Sequence, residues 1–341
     1  MEQKVNRIGL LGFFAVFLIL ISYGSQGLPV MGAVVSTVGQ FGIPLLSLII
    51  GYSYFKNPSK ENKKKIINKL LWLWLFWLLI YFPNAIYSGS LNVFFNPNPN
   101  LKAVLLGIVD LIIYQGASCF YNGGWFLLSM AICLGIIEFC RRHKVMWIGL
   151  ALVVIVYISG LLTSNYQMLF PNLMTKFRGF NITFGLFGTL IWCLISYYVV
   201  KYEKKLRDKI QTWHWIVLAM SLVFLEYSIC RICKFNTSLP GLNNQYFVTL
   251  PFSVVIIFIY SLNHINALSN HTEKFFKDIS TLIFFVQFGV GDVLRVVYKI
   301  NVPYLTYPYF LNYVVWTVAI SLLVWCISKI PYMSSLERLY K

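Results

Sequence analysis

Five ionisable side chains fall inside long apolar stretches of this sequence or at their rims: Glu138, Glu226, Arg231, Asp292 and Arg295. A charge placed in hydrocarbon is costly unless it is paired or faces a cavity, so these are the first candidates for chemistry. Asp292 and Arg295 stand three apart, share one helix face and can pair; a structural ion pair near an outer helix end fits the same spacing. Glu226 and Arg231 lie near another outer end and can line the same cavity. Glu138, beside Arg141 and Arg142 near a cytoplasmic end, reads as an interface charge. The four histidines, His143, His214, His264 and His271, all fall in or beside basic loops. A base acting on a hydroxyl outside the membrane must therefore be something else, and Asp292 and Glu226 are the candidates. Cys230 and Cys233 form a single C-x-x-C with no second pair and no histidine at ligand spacing, so the reading is structural and no metal site is expected. No H-E-x-x-H, Gly-rich phosphate loop or nucleophile elbow occurs, which leaves zinc, nucleotide and soluble-type hydrolase chemistry without support.

The elements that hold these residues are set by composition. Of 341 residues 58% are hydrophobic and 11% charged, against roughly 25% charged in an ordinary soluble domain. That leaves too little charge to cover a globule, and the apolar residues come in blocks long enough to cross ~30 Å of hydrocarbon at 1.5 Å per helical residue. The expected architecture is an all-α integral membrane bundle of about ten spans, near 8–27, 33–55, 66–87, 124–140, 145–163, 184–200, 213–230, 246–263, 279–298 and 310–328. Residues 101–115, short and carrying Asp110, read as an interfacial segment. The first block has no small-residue cleavage site after it and reads as a retained helix. With the N-terminus inside, the cytoplasmic segments collect about 21 of the 28 Lys and Arg residues, as the positive-inside rule requires. Both termini are then cytoplasmic in a multi-pass protein of the cell membrane. The net charge of +17 is accounted for by loops held against anionic lipid, and nucleic acid is not an expected partner. Loops this short hold no folded domain, so function must arise among the helices and outer loops of one membrane domain, 1–341. Trp125 opens the fourth span, as a belt residue or a cavity wall. The outer loops NVFFNPNPN at 92–100 and NTSLPGLNNQYF at 236–247 mix aromatic and amide side chains, a composition that suits sugars and also ordinary turns.

In its order of segments the chain resembles the acyltransferase-3 family, bacterial membrane proteins that acylate sugars, mostly on surface polysaccharides. The likeness is carried by Leu11 to Tyr23, by FGIPLLSLIIGYSYFKN at 41–57, KKKIINKLLWLWLFW at 63–77, NGGWFLLSMAI at 122–132 and KDISTLIFFVQFGV at 277–290. It implies a ten-helix bundle, an acyl-CoA donor reached from the cytoplasm, and transfer of the acyl group to a sugar hydroxyl outside, with no bound cofactor. The chain departs from the family where its chemistry lies. Gly12 and Tyr23 stand where the family's first helix has an Arg and a His, and Phe284 and Gln287 where its late span has an aromatic residue and a His. The family's catalytic residues are therefore not carried over. Tyr23, Trp125, Arg231, Gln287 and Arg295 are the residues expected to line the working cavity, with Asp292 or Glu226 as base. The basic loop at 56–69 would meet the CoA phosphates or serve as a topogenic signal. Two other readings stay open: a non-catalytic transporter or assembly partner for polysaccharide export, and a polysaccharide polymerase acting on lipid-linked sugar. The polymerase would use Lys176 and Arg178 to hold pyrophosphate.

Overall fold

Backbone amides at hydrocarbon depth must be satisfied within their own element, so an apolar chain of this kind is driven to helices. The computed structural model describes residues 8–25, 28, 30–57, 59–83, 123–169, 185–235, 246–265, 268–298 and 307–341, and among them no strand occurs. The helices are α1 Ile8–Gly24, α2 Val30–Gly39, α3 Gly42–Lys56, α4 Lys60–Ile80, α5 Gly124–Arg142, α6 Met146–Thr163, α7 Gly185–Lys201, α8 Glu203–Lys209, α9 His214–Ile232, α10 Leu250–His264, α11 Asn270–Val297 and α12 Tyr307–Ser328. Two 3-10 turns, Gln167–Leu169 and Pro331–Leu339, complete the described elements. Among the described residues five segments are long and apolar enough to cross a membrane: Thr37–Lys56, Gly124–Arg142, His214–Ile232, Asn270–Val297 and Tyr307–Ser328. α1, α6, α7 and α10 supply shorter apolar helices, and α4 opens on a run of lysines before its Trp- and Leu-rich half. Large apolar side chains face outward, Trp147 at 70%, Phe252 at 69% and Ile155 at 65% exposure. An apolar surface of that kind fits a lipid surround and not water.

Three helices differ from the boundaries read off hydropathy. The span expected over 33–55 is two helices, α2 and α3, broken at Gln40 and Phe41. Around the break both flanking glycines press on α1. A Cβ on Gly39 would stand 2.2 Å from Ser22, and one on Gly42 would stand 2.8 Å from the Ala15 carbonyl. Pro44 sits in the first turn of α3, where its missing N–H costs nothing. α4 begins at Lys60 and not near 66, because Ser59 caps it by accepting from the Asn62 N–H. α11 likewise begins at Asn270 and not 279, with Ser269 accepting from the Thr272 N–H. Both starts lie in stretches that a hydropathy window scores as loop. The interfacial segment 101–115 with Asp110, the loop at 92–100, residues Lys176 and Arg178, and all of 236–247 except Tyr246 and Phe247 lie outside the described residues.

α1 lies along α11, and α3 and α5 both pack on α7. The N–H of Gly9 donates to Glu273 Oε1 and ties the starts of α1 and α11 together. Polar contacts divide the bundle into two ends. At one end Lys56 meets Glu203 at 2.8 Å, Lys63 meets Glu138 at 3.3 Å, and Arg207 Nε donates to Asn263 Oδ1 at 2.7 Å. Basic residues gather there. At the other end Tyr309 donates to the Gly291 carbonyl at 3.4 Å, and Tyr166 donates to Glu226.

Glu203 is the hub that joins α8 to α3. Burial alone pushes its carboxyl up, but the Lys56 ammonium, the Tyr52 hydroxyl and Arg207 outweigh that and hold it below the usual carboxylate range. A carboxyl depressed in the folded state stabilises the fold above its unfolded value, and that contribution is lost as pH falls through the folded value. Thermal unfolding in detergent should therefore place the wild-type chain above Glu203→Gln at about pH 7, with the gap closing as pH falls through the lowered folded value of the carboxyl. A gap that is constant with pH would mean that the carboxylate charge contributes nothing.

Candidate functional site

A cavity of about 480 Å³ opens at the lysine-rich end between α1, α3, α4 and α11. One stripe of α11 forms its back wall. Asn270, Glu273, Lys274, Lys277, Thr281 and Phe284 follow the helical repeat of three and four, so they fall on one face. The stripe runs from charged to apolar over about 21 Å at 1.5 Å per residue. Lys69 of α4 joins the mouth, while Leu46, Ile49 and Ile50 of α3 and Leu70 and Leu73 of α4 supply the apolar walls. Phe126 and Leu127, at the start of α5, also line it. Gly12 of α1 faces the cavity, and a Cβ there would meet nothing within 4 Å.

The mouth carries both signs of charge. Glu273 accepts from Gly9 N–H through Oε1, and its buried Oε2 has no partner. Lys69, Lys274 and Lys277 line the same mouth and make no ion pair among the described residues. Of the six lysines in 56–69, Lys56, Lys63 and Lys65 are engaged with Glu203, Glu138 and Glu61, and Lys69 is the one that lines the cavity. Lys274 and Lys277 were not singled out from sequence. Their signal was the polar-to-apolar stripe of α11, whose start was placed too late for the stripe to show.

Beyond Phe126 and Phe284, whose ring centroids are 5.6 Å apart, lies an aromatic layer. Phe284 meets Phe288 at 5.7 Å, and Phe288 meets Tyr23 at 5.8 Å edge to face. Tyr23 and Gln287 are thus brought to one region by the pairing of α1 with α11. Gln287 is fully buried; its Nε2 donates to the Phe284 carbonyl at 3.0 Å, and its Oε1 accepts nothing. An unsatisfied buried amide oxygen costs about 1–3 kcal/mol, and a hydroxyl donor would recover it. Trp125 is buried and meets Phe126 at 5.9 Å.

The remaining candidates lie apart from this cavity. Asp292 and Arg295 approach to 4.0 Å on one face of α11, each a little under half exposed. Arg231 lies over the Tyr227 ring, 5.6 Å from its centroid. Glu226 is held by four donors: Tyr166 Oη, Val248 N at 2.6 Å, Thr249 N at 2.8 Å and Thr249 Oγ1 at 2.6 Å. A carboxylate engaged in that way clamps the segment that leads into α10. Glu226→Gln should lower stability by about 1.5–3 kcal/mol, the worth of a hydrogen bond to a charged group, read as thermal loss of the monodisperse peak in detergent. Unchanged stability would mean that the clamp is solvated and Glu226 is free for other work. The histidines stay at the lysine-rich end, where His264 stacks on Tyr260 at 4.0 Å, His214 on Trp213 at 4.3 Å and His143 lies against Phe139 at 4.2 Å.

No family model matches the chain, and no solved structure matches it. Among curated proteins the chain is similar to an amino-acid racemase of Enterococcus faecalis, at 21% identity over 283 residues. That match takes in 77% of this chain and 38% of the racemase, so the chain spans well under half of that relative's length.

Proposed function

We propose that the chain is a ten-span protein of the cell membrane with both termini in the cytoplasm, acting as an acyltransferase-like protein on a cell-surface polysaccharide. Its reaction would be O-acyl transfer from acyl-CoA to a sugar hydroxyl. The observation that carries this reading is the cavity with a basic mouth and an apolar interior. A donor with an anionic phosphate head and an acyl tail needs that polarity in that order: Lys69, Lys274 and Lys277 for the phosphates and the α3 and α4 walls for the chain. Lys is a point-charge phosphate binder that tolerates a mobile ligand. The acceptor hydroxyl would come from the opposite side, where Gln287 Oε1 is short of a donor. The test is to delete the protein from its host, restore it, and compare the surface polysaccharide by NMR and mass spectrometry. Loss of an ester at one hydroxyl with chain length kept supports the reading; an ester pattern that does not change ends it.

A second, non-catalytic reading is favoured by the same mouth. Glu273 and its neighbouring lysines offer one anionic and several cationic groups side by side, a match for a zwitterion, and the relative's printed name concerns amino acids. The absence of a histidine from the cavity lining also fits a protein that moves or holds a ligand. Uptake of labelled amino acids by the deletion and restored strains, with esters unaltered, would select this reading.

A further inference from the structure

The short helix α8 turns two of its six charged side chains inward. Glu203 and Arg207 turn inward, to Lys56 and Tyr52 on one side and to Asn263 and the Leu262 carbonyl on the other. Lys205 and Lys209 stand four apart on one face, are exposed, and make no ion pair or hydrogen bond among the described residues. Both border a second cavity of about 690 Å³, which shares no lining residue with the first. α7 supplies one side of it from Ile191 to Tyr202, and α6 and α10 contribute Leu150, Val154 and Val255. Its lining is aliphatic except at one end, where Tyr198, Tyr202 and the two lysines sit. Leu150 and Val154 are 46% and 45% exposed, so the groove is open along the side of the bundle.

Dimensions and charge identify an occupant. Ile191 to Tyr202 spans about 16 Å at 1.5 Å per residue, close to half of a ~30 Å hydrocarbon core and so to one leaflet. An apolar groove that opens sideways at that depth is filled by a chain of matching polarity, since water there has no polar partner. At the groove's head Lys201 lies over the Tyr202 ring at 5.3 Å, which adds a third cation beside Lys205 and Lys209. We propose that this groove is a binding site for one anionic phospholipid of the leaflet at the lysine-rich end, with an acyl chain along α7 and its phosphate between Lys205 and Lys209. A lipid with net negative charge is selected over a zwitterionic one, because a choline beside the phosphate would be turned toward the same cations. This assignment does not depend on the acyl-transfer reading.

The experiment is native mass spectrometry of the full chain, purified in detergent and titrated with phosphatidylglycerol or phosphatidylcholine of equal chain length. The wild-type chain should retain one phosphatidylglycerol, with phosphatidylcholine retained roughly 10–30-fold less, the worth of two surface lysines. Lys205→Gln with Lys209→Gln should abolish that preference, and both residues are exposed, so the fold is not at risk. Ile195→Trp, which fills the groove without touching the charges, should displace both lipids. Lys60→Gln with Lys64→Gln, equally exposed but on α4, should leave the adduct in place. Equal retention of the two lipids by the wild-type chain overturns the proposal, as does full retention of phosphatidylglycerol by the α8 double variant. A dimer mass that Ile195→Trp converts to monomer also overturns it, since a second copy would then cover the groove.

Discussion

Replacing Glu138 with Gln should destabilise the protein by about 3–5 kcal/mol, because it strips from a partly buried group of cations the one counter-charge they have among the described residues. Glu138 is 6% exposed in its side chain and takes Lys63 at 3.3 Å, Arg141 at 2.8 Å and Arg142 at 2.9 Å. The two arginines reach solvent and can be rehydrated. Lys63 cannot: its side chain is 11% exposed and lies against the Tyr54 ring at 5.2 Å. Without Glu138 the Lys63 ammonium is left in a low-dielectric setting with two like charges nearby. The measurement is the temperature at which the detergent-solubilised chain loses its monodisperse peak. Adding Lys63→Met to Glu138→Gln should recover much of the loss, since an apolar side chain of similar length can occupy the same slot. If Glu138→Gln melts with the wild-type chain, water reaches this cluster and the ion group is not holding α4 to α5.

On the acyl-transfer reading proposed above, Gly12→Phe should lower acylation in the restored strain by roughly 100-fold or more, while leaving the folded chain intact. A Cβ at Gly12 meets nothing within 4 Å, so the new ring has space, and the space it takes is the interior of the cavity of about 480 Å³. A donor chain pushed aside even slightly loses its alignment with the acceptor. The readout is polysaccharide ester content per unit of membrane-inserted protein, with the thermal profile as control. Normal ester content with a normal profile would show that the cavity is not the donor's route. Loss of amino-acid uptake with esters unaltered would assign the cavity to the zwitterion reading.

How far the sequence led depended on the range of the interaction. The i, i+3 spacing of Asp292 and Arg295 is a local property, and the structure has them 4.0 Å apart. The helical character of the chain and its apolar outer face follow from composition, and both are present. The α2–α3 break was written in Gly39, Gly42 and Pro44, but its cause is the close approach of α1, which hydropathy cannot register. Ser59 and Ser269 are ordinary cap residues, missed because the window that finds spans treats polar turns of helix as loop. Glu226 is the instructive case: its four donors come from Tyr166, Val248 and Thr249, and no local pattern reveals that a buried acid is already engaged. The cavity is the farthest from view, since its lining comes from five helices and Lys69 joins Lys274 and Lys277 only in the assembled bundle.

The pairing of α1 with α11 also sets the order in which this protein can be made. α1 meets α2 and α3 within a short stretch of chain, but its long contact with α11, and the Gly9–Glu273 bond at the rim, wait for residues some 260 positions later. Until α11 is released beside it, the groove of α1, α3 and α4 is an open trough against lipid, without Lys274 or Lys277. A chain cut short before Asn270 therefore lacks the back wall of the cavity and exposes faces of α1 meant for α11, the kind of surface by which unfinished bundles are recognised and cleared. The cavity and its α11 lysines thus appear together, once α11 has been made.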